Sequence, residues 1–325
     1  MTISSNSVGL SGISVELGDR KRAVESIEGV ADAFRNRKLP MNATLLSYGS
    51  FHESTEAPEE PISRAIAQTL ARTGTRPADV ERFVLATADA EFLADRDLLP
   101  RLLARHGFDA ALPMSITSQE CTGLLAAIDV ARRYVRDGDT SRVIVVSQDR
   151  AKDDAQRIQA FGVVSDAAVA ALVSNAEAAD FRIDAYAHRA DLRGMRGGDD
   201  FASRKALLTA VTAEVLAQRA LPVAAIAKVF STNFFKPLAA FNAATLGLAE
   251  HQLFAELTPE IGHCLSADPV LNLAEFVRRD TQGKRGDRYL LQAYAPGFLA
   301  AMLLERLTAP TVAEEKSAEL MEQSW

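Results

Sequence analysis

Cysteine is scarce in this chain: two residues in 325, Cys121 and Cys264. Two cysteines cannot build a disulfide framework, and they suit a reducing compartment. Histidine is nearly as sparse, with His52, His106, His188, His251 and His263 only. No zinc-like spacing of Cys and His occurs, so no metal is expected. Positive charge is in deficit, 36 Lys and Arg against 43 Asp and Glu, a formal net charge of −7. With no basic stripe interleaved with aromatics, that balance argues against a nucleic-acid binder. No apolar run reaches the roughly 18 residues of a membrane span. The first twenty residues carry Glu16 and Asp19 and lack the continuous apolar core of a signal peptide. What is present is ordinary for a globular protein, 48% hydrophobic and 24% charged. These features predict a cytoplasmic α/β protein with no membrane and no nucleic-acid partner.

Short apolar strands alternate with longer helical patterns. Strands are predicted at 83–87, 143–147, 167–173, 227–231, 289–294 and 298–304. Helices are predicted at 20–37, 61–73, 96–106, 122–137, 204–219, 237–246 and 269–281. Such alternation predicts layered α/β architecture. The order of features also repeats: 78–108 and 221–248 each read as helix start, strand, polar loop and helix. Each is followed by a polar turn, Gln119-Glu120-Cys121 or Gly262-His263-Cys264, and another helix. The chain therefore divides into an N-terminal half, 1–176, and a C-terminal half, 177–310. A charged, flexible tail, 311–325, ends in the lone Trp325. The Gly-rich stretch 188–203 reads as a surface loop carrying His188, and His52 reads as a surface group.

Three residues can carry chemistry. Cys121 follows the β-prone run 111–116 and opens an amphipathic helix, where the helix dipole and unpaired amides favour a thiolate. A small buried hydrophobe is the alternative reading of the same residue. His263 follows Gly262, which lets the backbone turn sharply. Asn233 ends the strand in "VFSTNFFKPL", where its amide either polarises a carbonyl or caps the turn before Pro237. Cys264 reads as structural. Glu120, Phe234 and Asp268 are candidate pocket residues.

Taken in order, these segments resemble the thiolase superfamily, and most closely its ketoacyl-ACP synthase III branch. "SVGLSGISVELG" looks like the opening strand, and "DVERFVLATADAEF" like the second strand and loop. "LPMSITSQECTGLLAAIDVARRYVRDGDTSRVIVVSQD" resembles the nucleophile segment. "FGVVSDAAVAALVSN" stands where the branch carries a Phe-Gly-Asp-Gly-Ala-type segment, and "RGDRYLLQAYAPGFLAAMLLERL" resembles its closing strands. The resemblance implies two similar βαβαβ-type halves in an α-β-α-β-α core. It also makes Cys121 the acyl-accepting nucleophile. Where the synthase branch has a histidine, this chain has Asn233, and where that branch has an asparagine it has His263. That exchange is similar to the thiolase branch. The closing loop reads Tyr294-Ala295-Pro296-Gly297. Where the family's closing loop supplies an oxyanion-hole amide, Pro296 has no N–H, so the resemblance implies a hole that either falls to the amides of Cys121 and Gly297 or is weakened.

The resemblance implies an acyltransferase or condensing enzyme of fatty-acid-like or specialised metabolism. Its substrate would be an acyl-carrier-protein or coenzyme A thioester, it would need no cofactor, and it would be a homodimer or a heterodimer with a related subunit. No coenzyme-gripping tryptophan and arginine are evident near 35–54. The acceptor of the acyl group can be carbon, oxygen, nitrogen or water. A non-catalytic partner subunit is the reading from another class.

Overall fold

The computed structural model describes residues 7–279 and 283–308, so the expected tail at 311–325 lies outside the described residues. The strands are β1 (Val8–Leu17), β2 (Arg20–Ala23), β3 (Ser50–Glu53), β4 (Arg82–Ala86), β5 (Leu112–Ile116), β6 (Arg142–Asp149), β7 (Ala167–Asn175), β8 (Phe181–Ala190), β9 (Lys228–Ser231), β10 (Leu253–Phe254), β11 (Arg288–Ala295) and β12 (Phe298–Arg306). The helices are α1 (Val30–Asn36), α2 (Ala43–Leu46), α3 (Glu59–Thr73), α4 (Leu98–His106), α5 (Gly123–Arg136), α6 (Phe201–Ala217), α7 (Lys236–Leu246), α8 (Thr258–Ile261) and α9 (Asp268–Arg279).

Ten strands hydrogen-bond in the order β10-β9-β11-β12-β8-β1-β7-β6-β4-β5, and β2 pairs with β3 apart from them. Strands β1, β4, β5, β6 and β7 take the same relative order as β8, β9, β10, β11 and β12: third, second, fourth, fifth, first. The directions repeat as well. In each set the second strand runs parallel to both neighbours, and the other two pairings are antiparallel. Among the described residues, the strands of the two sets pair at Gly9–Arg182 and Leu10–Phe181.

Strict alternation along the buried strands sorts the side chains into layers. On β6, Val143 and Val145 face an inner cluster with Leu124, Ile128, Val270 and Leu273, from α5 and α9. Ile144 and Val146 face the other way, onto Ile62, Ile66, Leu98 and Leu102 of α3 and α4. In the second set, Ala300 and Met302 of β12 face the inner cluster, and Leu299, Ala301 and Leu303 meet α6. Helix layers therefore lie outside both sets of strands, and α5 and α9 are sandwiched between them. Such a position demands apolar residues around the helix: the first six residues of α5, Gly123 to Ile128, are all buried.

The structure corrects three local expectations. The helix expected over 20–37 is confined to α1, because Gly29 adopts the left-handed region (φ 67) just before it. Upstream, Arg22 reaches both oxygens of Asp154 at 2.8 Å, which holds β2 extended against β3. His188 is not in a loop: β8 runs through Ala190 and places His188 opposite Ala300. Asp184 within β8 is buried among Arg182, Arg219 and Arg288, so its charge is internal rather than a sign of a loop. His52 is not a surface group either. It is buried on β3 with Nδ1 3.0 Å from the Gly18 carbonyl.

A fully buried ion pair anchors the segment beneath the site. Arg157 binds Asp166 through both nitrogens, at 2.5 and 3.0 Å, with each side chain 2% exposed. Asp166 also accepts from the amides of Ser54 and Ala151. Removing one partner strands a charge in the interior. Asp166→Ala is therefore expected to lower unfolding free energy by about 3–5 kcal/mol, read as a lower midpoint in urea. A loss under about 1 kcal/mol would show that the pair is not an anchor.

Candidate active site

Cys121 lies in a single helical turn, Glu120–Thr122, immediately before α5. Ser118 and Glu120 both adopt positive φ, 63° and 47°. Non-glycine residues rarely take that region, and such strain clusters at functional turns. The turn is braced by the Thr122 hydroxyl, which donates to the Gln119 carbonyl at 2.6 Å. Sulfur is thereby held at the positive end of a fourteen-residue helix.

His263 arrives from the other half of the chain. Gly262 precedes it with φ 69 and ψ −153, and a Cβ there would come within 2.5 Å of the Val163 carbonyl oxygen, so only glycine fits. The backbone of His263 is pinned on both sides: its N–H donates to Val163 O at 2.7 Å, and its carbonyl accepts from Ser165 N at 2.8 Å. The ring Nε2 sits 3.4 Å from Cys121 Sγ. Nδ1 sits 2.5 Å from Asp268 Oδ2. Because the carboxylate can only accept, Nδ1 carries the proton and Nε2 is turned to sulfur. The Phe161 ring meets the imidazole edge-on at 5.4 Å.

Asp268 opens α9, fully buried, and gathers three donors. Beside His263 these are Asn233 N at 2.7 Å, on the same Oδ2, and Cys264 N at 2.7 Å, on Oδ1. The result is a continuous Cys121–His263–Asp268 chain. Its members span 148 residues of sequence from Cys121 to Asp268 and both halves of the fold.

The other candidates fall in different places. Asn233 is buried beside the site, but its amide is committed. Nδ2 donates to Gly262 O at 2.8 Å, and Oδ1 accepts from Asn272 Nδ2 at 2.9 Å. Phe234 packs between the rings of Phe161 and Tyr294. Gly297 makes the β11–β12 turn with φ 81 and packs against Asp191, Gly194 and Met195, its carbonyl accepting from Asp191 N. Glu120 is exposed. Cys264 is buried, and burial pushes its thiol well up. The orienting role of Asp268 is the feature that sequence reasoning missed. An aspartate five residues past a histidine carries no helical signal, because a short turn at Leu265–Ala267 intervenes.

Burial also pushes the Cys121 thiol up, with His263 pulling the other way. Burial opposes charge on His263, yet Asp268 and Cys121 outweigh it and raise the imidazole to about 10. Cysteine and histidine so close titrate as a pair. The direction set by Asp268 is that His263 holds its proton. Beyond the site, a groove of ≈ 490 Å³ lined by Asn42, Thr44, Leu45, Lys236, Pro237 and Ala240 opens between α2 and α7. Among the described residues, no helix is long and apolar enough to cross a membrane, and no group of three His, Cys, Asp or Glu is placed to hold a metal ion.

The doubled strand order around two buried helices is the thiolase-like fold. Within it, the chain resembles the ketoacyl-ACP synthase III branch. The family model for 3-oxoacyl-[acyl-carrier-protein] synthase III matches residues 117–192, which include Cys121. Beta-ketoacyl-[acyl-carrier-protein] synthase III 2 of Streptomyces avermitilis is 33% identical over 99 residues. That match spans 29% of this chain and 30% of the relative's length. Among solved structures, the acyltransferase ChlB3 superposes with a TM-score of 0.80 at 19% identity, covering 94% of this chain and 99% of its own. The 3-oxoacyl-[acyl-carrier-protein] synthase III of Aquifex aeolicus superposes with a TM-score of 0.76 at 18% identity, covering 92% and 99%. At those identities the structures speak for the fold.

The raised imidazole has a consequence for stability. A group whose folded pKa lies above its ordinary value stabilises fully below the ordinary value, and less as pH rises through the folded one. For His263 that window runs from 6.5 to about 10. The stability advantage of the native chain over His263→Gln is expected to shrink across it, measured by urea unfolding at successive pH values. An advantage that stays constant or grows would contradict the pairing with Asp268.

Proposed function

We propose that this protein is a cysteine-dependent acyltransferase. It takes an acyl group from a carrier-protein or coenzyme A thioester onto Cys121 and passes it to a hydroxyl or amine. The observation that carries this reading is the Cys121–His263–Asp268 chain. With Asp268 holding a proton on His263, the reactive form of the pair is thiolate and imidazolium. The thiolate attacks the thioester carbonyl, the acyl–sulfur bond to the carrier breaks, and imidazolium gives its proton to the departing thiol. Neutral His263 then takes the proton of the incoming hydroxyl or amine as that group attacks the acyl-cysteine. The carbonyl–Sγ bond breaks, and the thiolate–imidazolium pair is restored. The Cys121 amide is the donor this reading assigns to the charge that develops on the acyl oxygen, since the Thr122 and Gly123 amides already donate to Gln119 O and Glu120 O.

Decarboxylative condensation has a different requirement: two neutral donors around one thioester oxygen to stabilise an enolate. Here His263 is bound to a carboxylate, and Asn233 spends its side-chain oxygen on Asn272 and an N–H on Gly262. Both features favour proton transfer over enolate binding. The partial match to the synthase III family and the fold shared with ChlB3 agree with thioester chemistry. A non-catalytic subunit would have no need to keep all three members aligned.

The test is a product assay with acyl-carrier or acyl-coenzyme A donors and two kinds of acceptor. Ester or amide formed from alcohols or amines, with no carbon dioxide released from malonyl thioesters, is expected. Asp268→Asn is expected to lower turnover by about 10²–10⁴-fold, as loss of an orienting carboxylate does. A β-ketoacyl product with stoichiometric carbon dioxide, or an undiminished Asp268→Asn, would overturn the reading.

A further inference from the structure

Asp149 is a buried carboxylate outside the Cys121–His263–Asp268 chain. It ends β6 and is 2% exposed. Oδ1 accepts from Ala88 N at 2.7 Å and from the Thr87 hydroxyl at 3.4 Å, both just past β4. Oδ2 accepts from the Ser266 hydroxyl at 2.5 Å and from Ser266 N at 3.3 Å. Thr87 and Ala88 belong to the half that carries Cys121. Ser266 belongs to the other half, within the short turn that separates His263 from Asp268.

We propose that Asp149 is a positioning residue that clamps the His263–Asp268 turn onto the Cys121 half and so sets the sulfur-to-imidazole distance. The proposal rests on the acyl-transfer reading only for its rate readout. Cys121 and His263 meet at 3.4 Å although they come from separate halves of the chain. The backbone of His263 is tied to Val163 and Ser165 of the Cys121 half, and Asp149 adds a side-chain tie at the turn that follows it. The turn at Leu265–Ala267 is closed by one backbone hydrogen bond, Ala267 N to Cys264 O, and Leu265 within it has φ 52. A carboxylate bridging two elements with four donors supplies the stiffness. Burial pushes its pKa up while the donors from Ser266, Ala88 and Thr87 pull it back. Buried polar residues usually serve the core. This one serves a contact 117 residues away in sequence, at the place where misalignment would cost most.

Ser266→Ala isolates the clamp, because it deletes one hydrogen bond and leaves every charge in place. The groups that face the Cys121 sulfur are His263, Asp149 and Asp268; Asp149 in turn meets Thr87, Ala88 and Ser266, with Glu120 and Cys264 in electrostatic reach. With His263 displaced, the thiol loses the partner that favours its ionisation. Alkylation of Cys121 by iodoacetamide, followed on the Cys121 peptide, should therefore shift to higher pH in Ser266→Ala. Turnover should fall about tenfold, with KM for the donor within twofold. The double variant Asp149→Asn/Ser266→Ala should be no slower than Asp149→Asn alone, because both remove one clamp. An unshifted alkylation profile in Ser266→Ala, or losses that multiply in the double variant, would overturn the proposal. A native chain that alkylates normally but accepts no acyl group would overturn the acyl-transfer reading instead, and the alkylation profile would still decide the role of Asp149.

Discussion

A carboxylate with no access to water needs donors, and Asp268 finds three of them in the backbone and ring around it. His263, Asn233 and Cys264 all converge on it at 2.5–2.7 Å. Satisfying that one buried charge fixes the imidazole's tautomer, its direction and its proton affinity together. It also explains why Asn233 is present without touching the thiol. Its backbone holds Asp268, and its side chain holds Gly262, the residue whose geometry turns His263 inward. The position of Asp268 at the first turn of α9 adds the favourable end of that helix's dipole.

The doubled fold makes this arrangement available. Each half sends one helix into the shared inner layer, preceded by a short turn: Glu120–Thr122 before α5 and Leu265–Ala267 before α9. One turn presents Cys121, and the other spaces His263 from Asp268. Inner burial packs the first turns of both helices away from solvent, so the buried Asp268 depends on protein donors. Two copies of one plan have therefore diverged in role while keeping equivalent places. The joint between them is bridged by buried polar groups, Asp149 to Ser266 on one side and the Ser165 amide to the His263 carbonyl on the other.

Much of this was legible in the sequence, and the exceptions have physical causes. Short continuous apolar runs placed β4, β6, β7, β9, β11 and β12 within a few residues, since their faces are buried on both sides. The long helices followed their 3.6-residue patterns. The reading over 20–37 failed where Arg22 trades a helical register for Asp154 and Glu53, contacts far away along the chain. β8 was hidden because Arg182 and Asp184 look like solvated charges until Arg219, Arg288 and Glu305 are folded against them. At the site, Cys121 and His263 stood out by local context, a turn before a helix and a glycine before an imidazole. Asp268 stood only as a pocket residue, because its role depends on a turn whose shape is set by Gly262 and Leu265. Asp149 carried no local signal, since its partner Ser266 is brought to it only by the meeting of the two halves.

The central claim is that Cys121 holds an acyl group as a covalent intermediate, with His263 as its proton carrier. Intact-protein mass spectrometry after exposure to an acyl thioester tests it most directly. The native chain should gain the mass of one acyl group, located on the Cys121 peptide, and lose it when a hydroxyl or amine acceptor is added. Absence of an adduct with every carrier-protein and coenzyme A donor, or an equal adduct on Cys121→Ala, would contradict the account.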